Sequence, residues 1–289
     1  MKPYCIPQLA KPYTNYDMIQ KHTDLPSFSD GRAHLLYIFL NHESSAKESA
    51  GELYTLVTAL VQLGLDTHED IDRSNDKQGK DPMRSRQLKV LAGDYFSSWF
   101  YHLLAKRNQI EMVGILSKAI ADFNVLKANL YVQMRSVRFS AEQYLRQMTQ
   151  MNMRLFLSFT PMIESSVVEL WEKLLTEFSQ CETIVSELQR SSEPKNARYG
   201  YSYWRMMEMG TEEERRQLQE LELDQKDWKM LIMKYKCDSQ LTDKLHDSIQ
   251  SIQELLKSVK NDSLLKELKY ALDRFITQMK VSGQAAVEG

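Results

Sequence analysis

Apolar residues recur along this chain at intervals of three and four, the spacing that places them on one side of an α-helix. Leu53, Leu56, Val57, Leu60, Val61 and Leu65 predict a helix over 53–71. The same periodicity predicts helices over about 84–106, 109–135, 140–159 and 163–188, and a closing pair over 241–257 and 264–279. An earlier helix, capped by Ser27 or Ser29, is apolar at Leu35, Leu36, Phe39 and Leu40 and runs to about His42. Its His34 and His42 are read as surface side chains, and Ser44 or Ser45 caps the helix that follows. Val, Ile and Thr do not alternate over any length, and Gly and Pro gather near segment ends. The expected fold class is all-α, with a single helical domain over 27–280. Residues 1–26 hold Pro3, Pro7, Pro12 and Pro26 and read as an irregular lead-in with one short helix around 13–21. Residues 281–289 read as a frayed tail.

Between these helices, 73–82 is a polar surface loop without an apolar residue before Pro82. A second break, 191–201, holds Pro194 and Gly200. Residues 212–222 form a charged, solvated face. Asp224 and Asp227 have the spacing of an acidic motif, but no apolar strip precedes them and the pairing is read as chance. Met148, Met151, Met153 and Met162 cluster around 140–162, where core packing accounts for them, although methionine also suits greasy ligands.

Charge and cysteine content narrow the classes. The formal net charge is −2 with both signs interspersed, unlike the basic face of a nucleic-acid binder. Cys5, Cys181 and Cys237 are odd in number and far apart, which fits a reducing cytoplasm rather than a disulfide framework. The N-terminus carries no signal pattern, and no apolar run reaches the length of a membrane span. A cytoplasmic chain is expected, with room for a face that touches lipid.

The densest chemistry lies in 62–105. Asp66, Glu69 and Asp70 fall at i, i+3 and i+4, so in a helix all three carboxylates leave one side of its end. Such a cluster repels itself unless a cation or solvent offsets it. Magnesium with a diphosphate is one use for it; a solvated acidic helix end is the plainer one. Lys77, Arg84 and Arg86 follow as possible diphosphate-facing groups, then Gly93, Asp94 and Tyr95. Gly93 lets a neighbouring helix approach closely, and Asp94 needs a partner such as Arg84, Arg86 or a backbone amide. Tyr95, Phe96, Trp99, Phe100 and Tyr101 cover much of one helix. They are either core or a wall or interface, since a helix apolar nearly all round must be buried on several sides.

An acidic helix end, a basic Gly-containing loop and then "VLAGDY" is an order that resembles the all-trans polyprenyl diphosphate synthases. In that family a DDxxD motif holds magnesium, an Arg-Arg-Gly loop binds diphosphate and an Ala-Gly-Asp helix follows. Here Glu69 and Asp70 stand at the first two aspartates, Arg73 takes the last acidic place, and Lys77-Gln78-Gly79 replaces Arg-Arg-Gly. "LDTHE" and "RQLKVLAGDYFS" look specifically like the small regulatory first components of two-part heptaprenyl diphosphate synthases, most strongly over 50–135.

The resemblance implies a degenerate isoprenoid-synthase helical bundle without a second aspartate motif after residue 135. It implies no catalytic or metal-binding residue acting in this chain alone. A larger catalytic subunit, component 2, would supply both aspartate motifs and the magnesium. The pair would elongate farnesyl diphosphate with isopentenyl diphosphate for the menaquinone side chain. The family's dimers pair through helices near the first motif, which makes Tyr95, Phe96, Trp99 and Phe100 candidate interface residues, on two faces between which the sequence does not choose. Two other readings stay open: a stand-alone magnesium-dependent terpenoid enzyme, and a helical interaction protein unrelated to isoprenoids.

Overall fold

The computed structural model describes residues 3–21, 25, 26, 28, 30–42, 48–73, 80–135, 139–220 and 223–287, and these are helical with no strand among them. In order they form α1 (Ile6–Thr14), α2 (Asp17–Gln20), α3 (Asp30–Asn41), α4 (Glu48–Arg73), α5 (Lys80–Lys106), α6 (Ile110–Gln133) and α7 (Ala141–Leu157). A 3-10 turn at Thr160–Met162 precedes α8 (Val168–Ser191). Then come α9 (Pro194–Ala197), α10 (Tyr201–Met209), α11 (Glu212–Glu220), α12 (Gln225–Lys234), α13 (Cys237–Lys257) and α14 (Asp262–Val287).

The chain divides into two compact units. One comprises Met1–Ile120, Leu155–Trp171 and Lys266–Ala271; the other comprises Ala121–Arg154, Glu172–Leu265 and Leu272–Gly289. In the first unit α4 and α5 make the most extensive helix–helix contact among the described residues. They run antiparallel, since Tyr54 reaches Gln109 near one end and His68 reaches Asp94 near the other. α1 and α3 pack on α4 through Ile6, Ala10, Ala33, Tyr37, Leu56 and Leu60.

Several expectations need correction. The proline-rich lead-in carries α2 inside the stretch where one short helix is expected, but also α1, which is not expected. Pro7 sits in the first turn of α1, where its missing N–H costs nothing, and Ile6, Ala10 and Tyr13 repeat at i, i+4 and i+7 toward the core. The same allowance lets α5 begin at Lys80, with Pro82 in its first turn rather than in a loop. At the other end α14 continues to Val287, through much of the expected frayed tail. His34 is buried, not exposed: it stacks on Tyr4 with ring centroids 3.9 Å apart. α3 has polar residues on its buried sides because each meets a neighbour, Asp30 accepting from Tyr4 Oη at 2.7 Å and Arg32 lying over Phe156. Ser27, Ser29, Ser44 and Ser45, the candidate caps, lie outside the described residues.

Local signals explain the second unit's helix starts. Ser140 and Gln143 form a reciprocal capping box at α7, as Thr211 and Glu214 do at α11. Asp224 caps α12 by accepting from the N–H groups of Lys226 and Asp227, each at 2.8 Å, which gives the isolated acidic pair a structural role.

Candidate functional site

The acidic end of α4 and the start of α5 lie in the first unit. The carboxylates of Asp66 and Glu69 in the last turns of α4 meet the negative end of the helix dipole, an arrangement that favours a nearby cation. Asp66 is half-buried and its Oδ1 accepts from Gln62 Nε2 at 2.8 Å. Glu69 is half-buried on the same side. The side chain of Asp70 and all of Lys77 lie outside the described residues. Arg84 is exposed and Arg86 half-buried on α5.

Gly93 behaves as its sequence position suggests, with a reciprocal partner the sequence did not announce. A Cβ on Gly64 of α4 would stand 2.8 Å from the Gly93 carbonyl oxygen, and a Cβ on Gly93 would stand 2.6 Å from the His68 ring. The two glycines thus set the close approach of α4 and α5 above which the acidic cluster sits. Asp94 has a partner, but not one of those expected. Its side chain is 67% exposed, and its partner is His68 Nε2 at 3.3 Å rather than Arg84 or Arg86.

The aromatic residues of α5 divide between faces. Phe96 and Phe100 are in the chain's own core, so they are not surface anchors for a partner. Tyr95 and Trp99 are half-buried beneath the N-terminal helices: Tyr13 packs on Trp99 at 4.8 Å and Tyr16 on Tyr95 at 5.8 Å. The uncovered face of α5 instead carries Met83, Val90, Leu91 and Tyr101. α6 adds exposed Ile110, Val125, Tyr131 and Val132.

A second cluster, in the other unit, was missed in the sequence. Glu187 and Arg190 on α8 are buried and paired at 3.2 Å. Glu187 also accepts from Tyr144 Oη at 2.9 Å and from the Tyr201 N–H at 2.7 Å. Arg190 donates to Tyr144 Oη at 2.8 Å and to the carbonyls of Asn196 and Arg198, which ties down the turn around α9. Burial opposes the charge on Arg190, but Tyr144 and Glu187 beside it outweigh that and push its pKa up. The only sequence signal is an i, i+3 acid–base pair ahead of a Pro- and Gly-containing break, a spacing usually met on solvated faces.

Among the described residues the donors do not form a two-sided magnesium clamp. Magnesium takes one or two carboxylates plus substrate phosphates, held from opposing sides. Asp66 and Glu69 offer one side, Asp94 is turned to His68, and Glu187 is engaged by Arg190, Tyr144 and Tyr201. Among the described residues no group of three His, Cys, Asp or Glu side chains is arranged to hold a metal ion. Nor is any helix among them long and apolar enough to cross a membrane. The three cysteines are free thiols, and burial pushes Cys237 up to about 12.

The helical architecture is that of the polyprenyl synthases. Octaprenyl pyrophosphate synthase from Helicobacter pylori matches with a TM-score of 0.63 at 14% identity, covering 92% of this chain and 97% of that one. Polyprenyl synthase from Caulobacter crescentus, complexed with calcium and isoprenyl diphosphate, matches with a TM-score of 0.69 at 12% identity, covering 93% and 92%. Heptaprenyl diphosphate synthase from Staphylococcus aureus gives 0.64 at 11% identity and 96% of both chains. At such identities the likeness defines the fold alone. Within that fold class, the chain belongs to the heptaprenyl diphosphate synthase (HEPPP synthase) subunit 1 family, whose sequence model matches residues 16–236. That match extends well beyond 50–135, where the motif resemblance is concentrated. Heptaprenyl diphosphate synthase component 1 of Geobacillus stearothermophilus is 35% identical over 88 residues, which is 30% of this chain and 38% of that relative's length.

Proposed function

We propose that the chain works as a non-catalytic, regulatory subunit of a two-part heptaprenyl diphosphate synthase in the cytoplasm. In this reading a larger subunit, component 2, carries the aspartate motifs and the magnesium. The assembled pair extends farnesyl diphosphate with isopentenyl diphosphate to the side chain of menaquinone. This chain completes the assembly and helps set where elongation stops.

The observation that carries the reading is the number of large apolar side chains left exposed on α5 and on α6. Eight of the fifteen exposed large apolar side chains among the described residues lie on α5 and α6. Leu91, Ile110 and Val132 are 63%, 64% and 70% exposed, and a Cβ on Gly114 of α6 would meet nothing within 4 Å. Large apolar side chains exposed in such numbers point to an interaction site, and an obligate partner's interface is apolar at its centre. Among the described residues Asp66 and Glu69 offer carboxylates from one side, which agrees with the division of labour, because ionising an allylic diphosphate requires metals held from both sides.

The test is reconstitution. The purified chain alone is expected to make no prenyl diphosphate from farnesyl and isopentenyl diphosphates with magnesium, and to restore long-chain synthesis when component 2 is added. Robust condensation by the isolated chain would favour a stand-alone enzyme. Failure of component 2 to bind would favour an unrelated interaction protein. Within the active pair, Glu69→Ala with Asp70→Ala is expected to lower turnover only modestly. A loss of about a thousandfold with assembly intact would mean that these carboxylates still hold metal.

A further inference from the structure

α12 is fixed from below and greasy above. Trp228, Leu231 and Ile232 are buried, Trp228 Nε1 donates to the Ser191 carbonyl at 2.8 Å, and Asp224 caps the first turn. The outward positions 226, 229, 230 and 233 fall at i, i+3, i+4 and i+7, on one face. They are Lys226, Lys229, Met230 and Met233. Met230 is 52% exposed, and Met233, at 77%, is the most exposed large apolar side chain among the described residues. Lys226 and Lys229 are exposed, as is Lys236 in the following turn, and none of the three has an ion-pair partner among the described residues. Lys234 differs: it is held by Glu214 at 2.6 Å. Asp227 lies off to the side of this face.

The chain's own packing has no use for two methionines held out in water by a rigid helix. Protein interfaces use methionine but are depleted of lysine. A bilayer surface accommodates both, since lysine ammonium groups reach anionic headgroups while flexible thioethers pack among acyl chains. We propose that the outer face of α12 docks on an anionic lipid bilayer. The proposal rests on α12 alone and survives whether or not the chain proves to be a synthase subunit.

The experiment is co-sedimentation of the full chain with vesicles of phosphatidylcholine alone and of phosphatidylcholine mixed with phosphatidylglycerol, at low and physiological salt. Binding is expected on the anionic vesicles only, weakening as salt shortens the reach of the lysines. Each lysine near an anionic surface contributes about fivefold, so Lys226→Glu with Lys229→Glu should lower the partition coefficient by at least ~25-fold. Met230→Ser with Met233→Ser should lower it several-fold at unchanged charge. All four positions point outward, and circular-dichroism melts matching the wild type would show that the variants fold. Equal binding to neutral vesicles, no binding to anionic vesicles at low salt, or variants that bind like the wild type would overturn the proposal. So would variants that lose component 2 while keeping the vesicles, because the face would then belong to a protein partner.

Discussion

Gly64→Ala should destabilise the protein, although an alanine inside a helix is ordinarily better than a glycine. The propensity gain is about 1 kcal/mol. Against it, the new Cβ would lie 2.8 Å from the Gly93 carbonyl oxygen and 3.1 Å from both the backbone N and the Cβ of Ser97. Two of those three atoms are backbone and cannot swing aside, so α4 and α5 must part along their most extensive contact. Overpacking of this kind costs about 1–3 kcal/mol, leaving a net loss of up to roughly 2 kcal/mol. Gly93→Ala is a milder case. The three atoms its Cβ would come closest to all belong to the His68 ring, the nearest at 2.6 Å, and that ring can rotate away at the expense of a contact with the largely exposed Asp94. It should fall within about 1 kcal/mol of wild type. Gly114→Ala meets nothing and should stabilise the isolated chain by about 1 kcal/mol. Urea denaturation followed by circular dichroism gives the three midpoints, comparable if the m-values agree. If Gly64→Ala gains stability as Gly114→Ala does, glycine does not set the α4–α5 separation and the reasoning fails.

Arg190→Met should cost about 3–5 kcal/mol by leaving Glu187 buried without its counter-charge, and adding Glu187→Gln should recover part of the loss in the same denaturation assay. Glu214 is lowered to about 2 by hydrogen bonds from Lys234, Tyr235 and the Thr211 N–H. A depressed carboxyl contributes stability above its ordinary value of 4.5 and loses it as pH falls from there to about 2. Glu214→Gln should therefore remove stability at pH 7 and flatten the acid limb of a melting-temperature profile; an unchanged acid limb would contradict it. Leu91→Ser and Val132→Ser should melt within about 0.5 kcal/mol of wild type, since both side chains are exposed. Each should nevertheless weaken binding to component 2 by about 2 kcal/mol in calorimetry if it lies at the interface centre.

Spacing carried the features that depend on near neighbours in the chain. Asp66 and Glu69 share one side of α4 because i and i+3 must do so in a helix, and Gly93 beside Ala92 announced a close approach. The opposing Gly64 was silent because a lone glycine among apolar residues has no spacing of its own to read. His34 was misplaced for a related reason. A histidine in a helix reads as outward until Tyr4, thirty positions away, is known to stack on it. Glu187 and Arg190 have the spacing of a surface pair, and it takes Tyr144 together with the carbonyls of Asn196 and Arg198, delivered by the turn after α8, to satisfy the arginine once it is buried beside Glu187.

The aromatic helix shows how far a composition argument reaches. Tyr95, Phe96, Trp99, Phe100 and Tyr101 require cover on more than one side, and that much follows from the residues alone. Which side faces what depends on distant segments. Phe96 meets Leu63 of α4 and Ile19, while Trp99 meets Tyr13 of α1, so the two faces expected to divide between core and partner are both covered within the chain. The cover does not extend to Met83, Val90 and Leu91. Burying such side chains is worth about 1.5–3 kcal/mol each, and in the isolated chain that stabilisation is forgone. A surface substitution that makes α5 polar there would cost this fold nothing, so the apolar residues are best accounted for by a second helix packing against them, which is the role proposed for component 2.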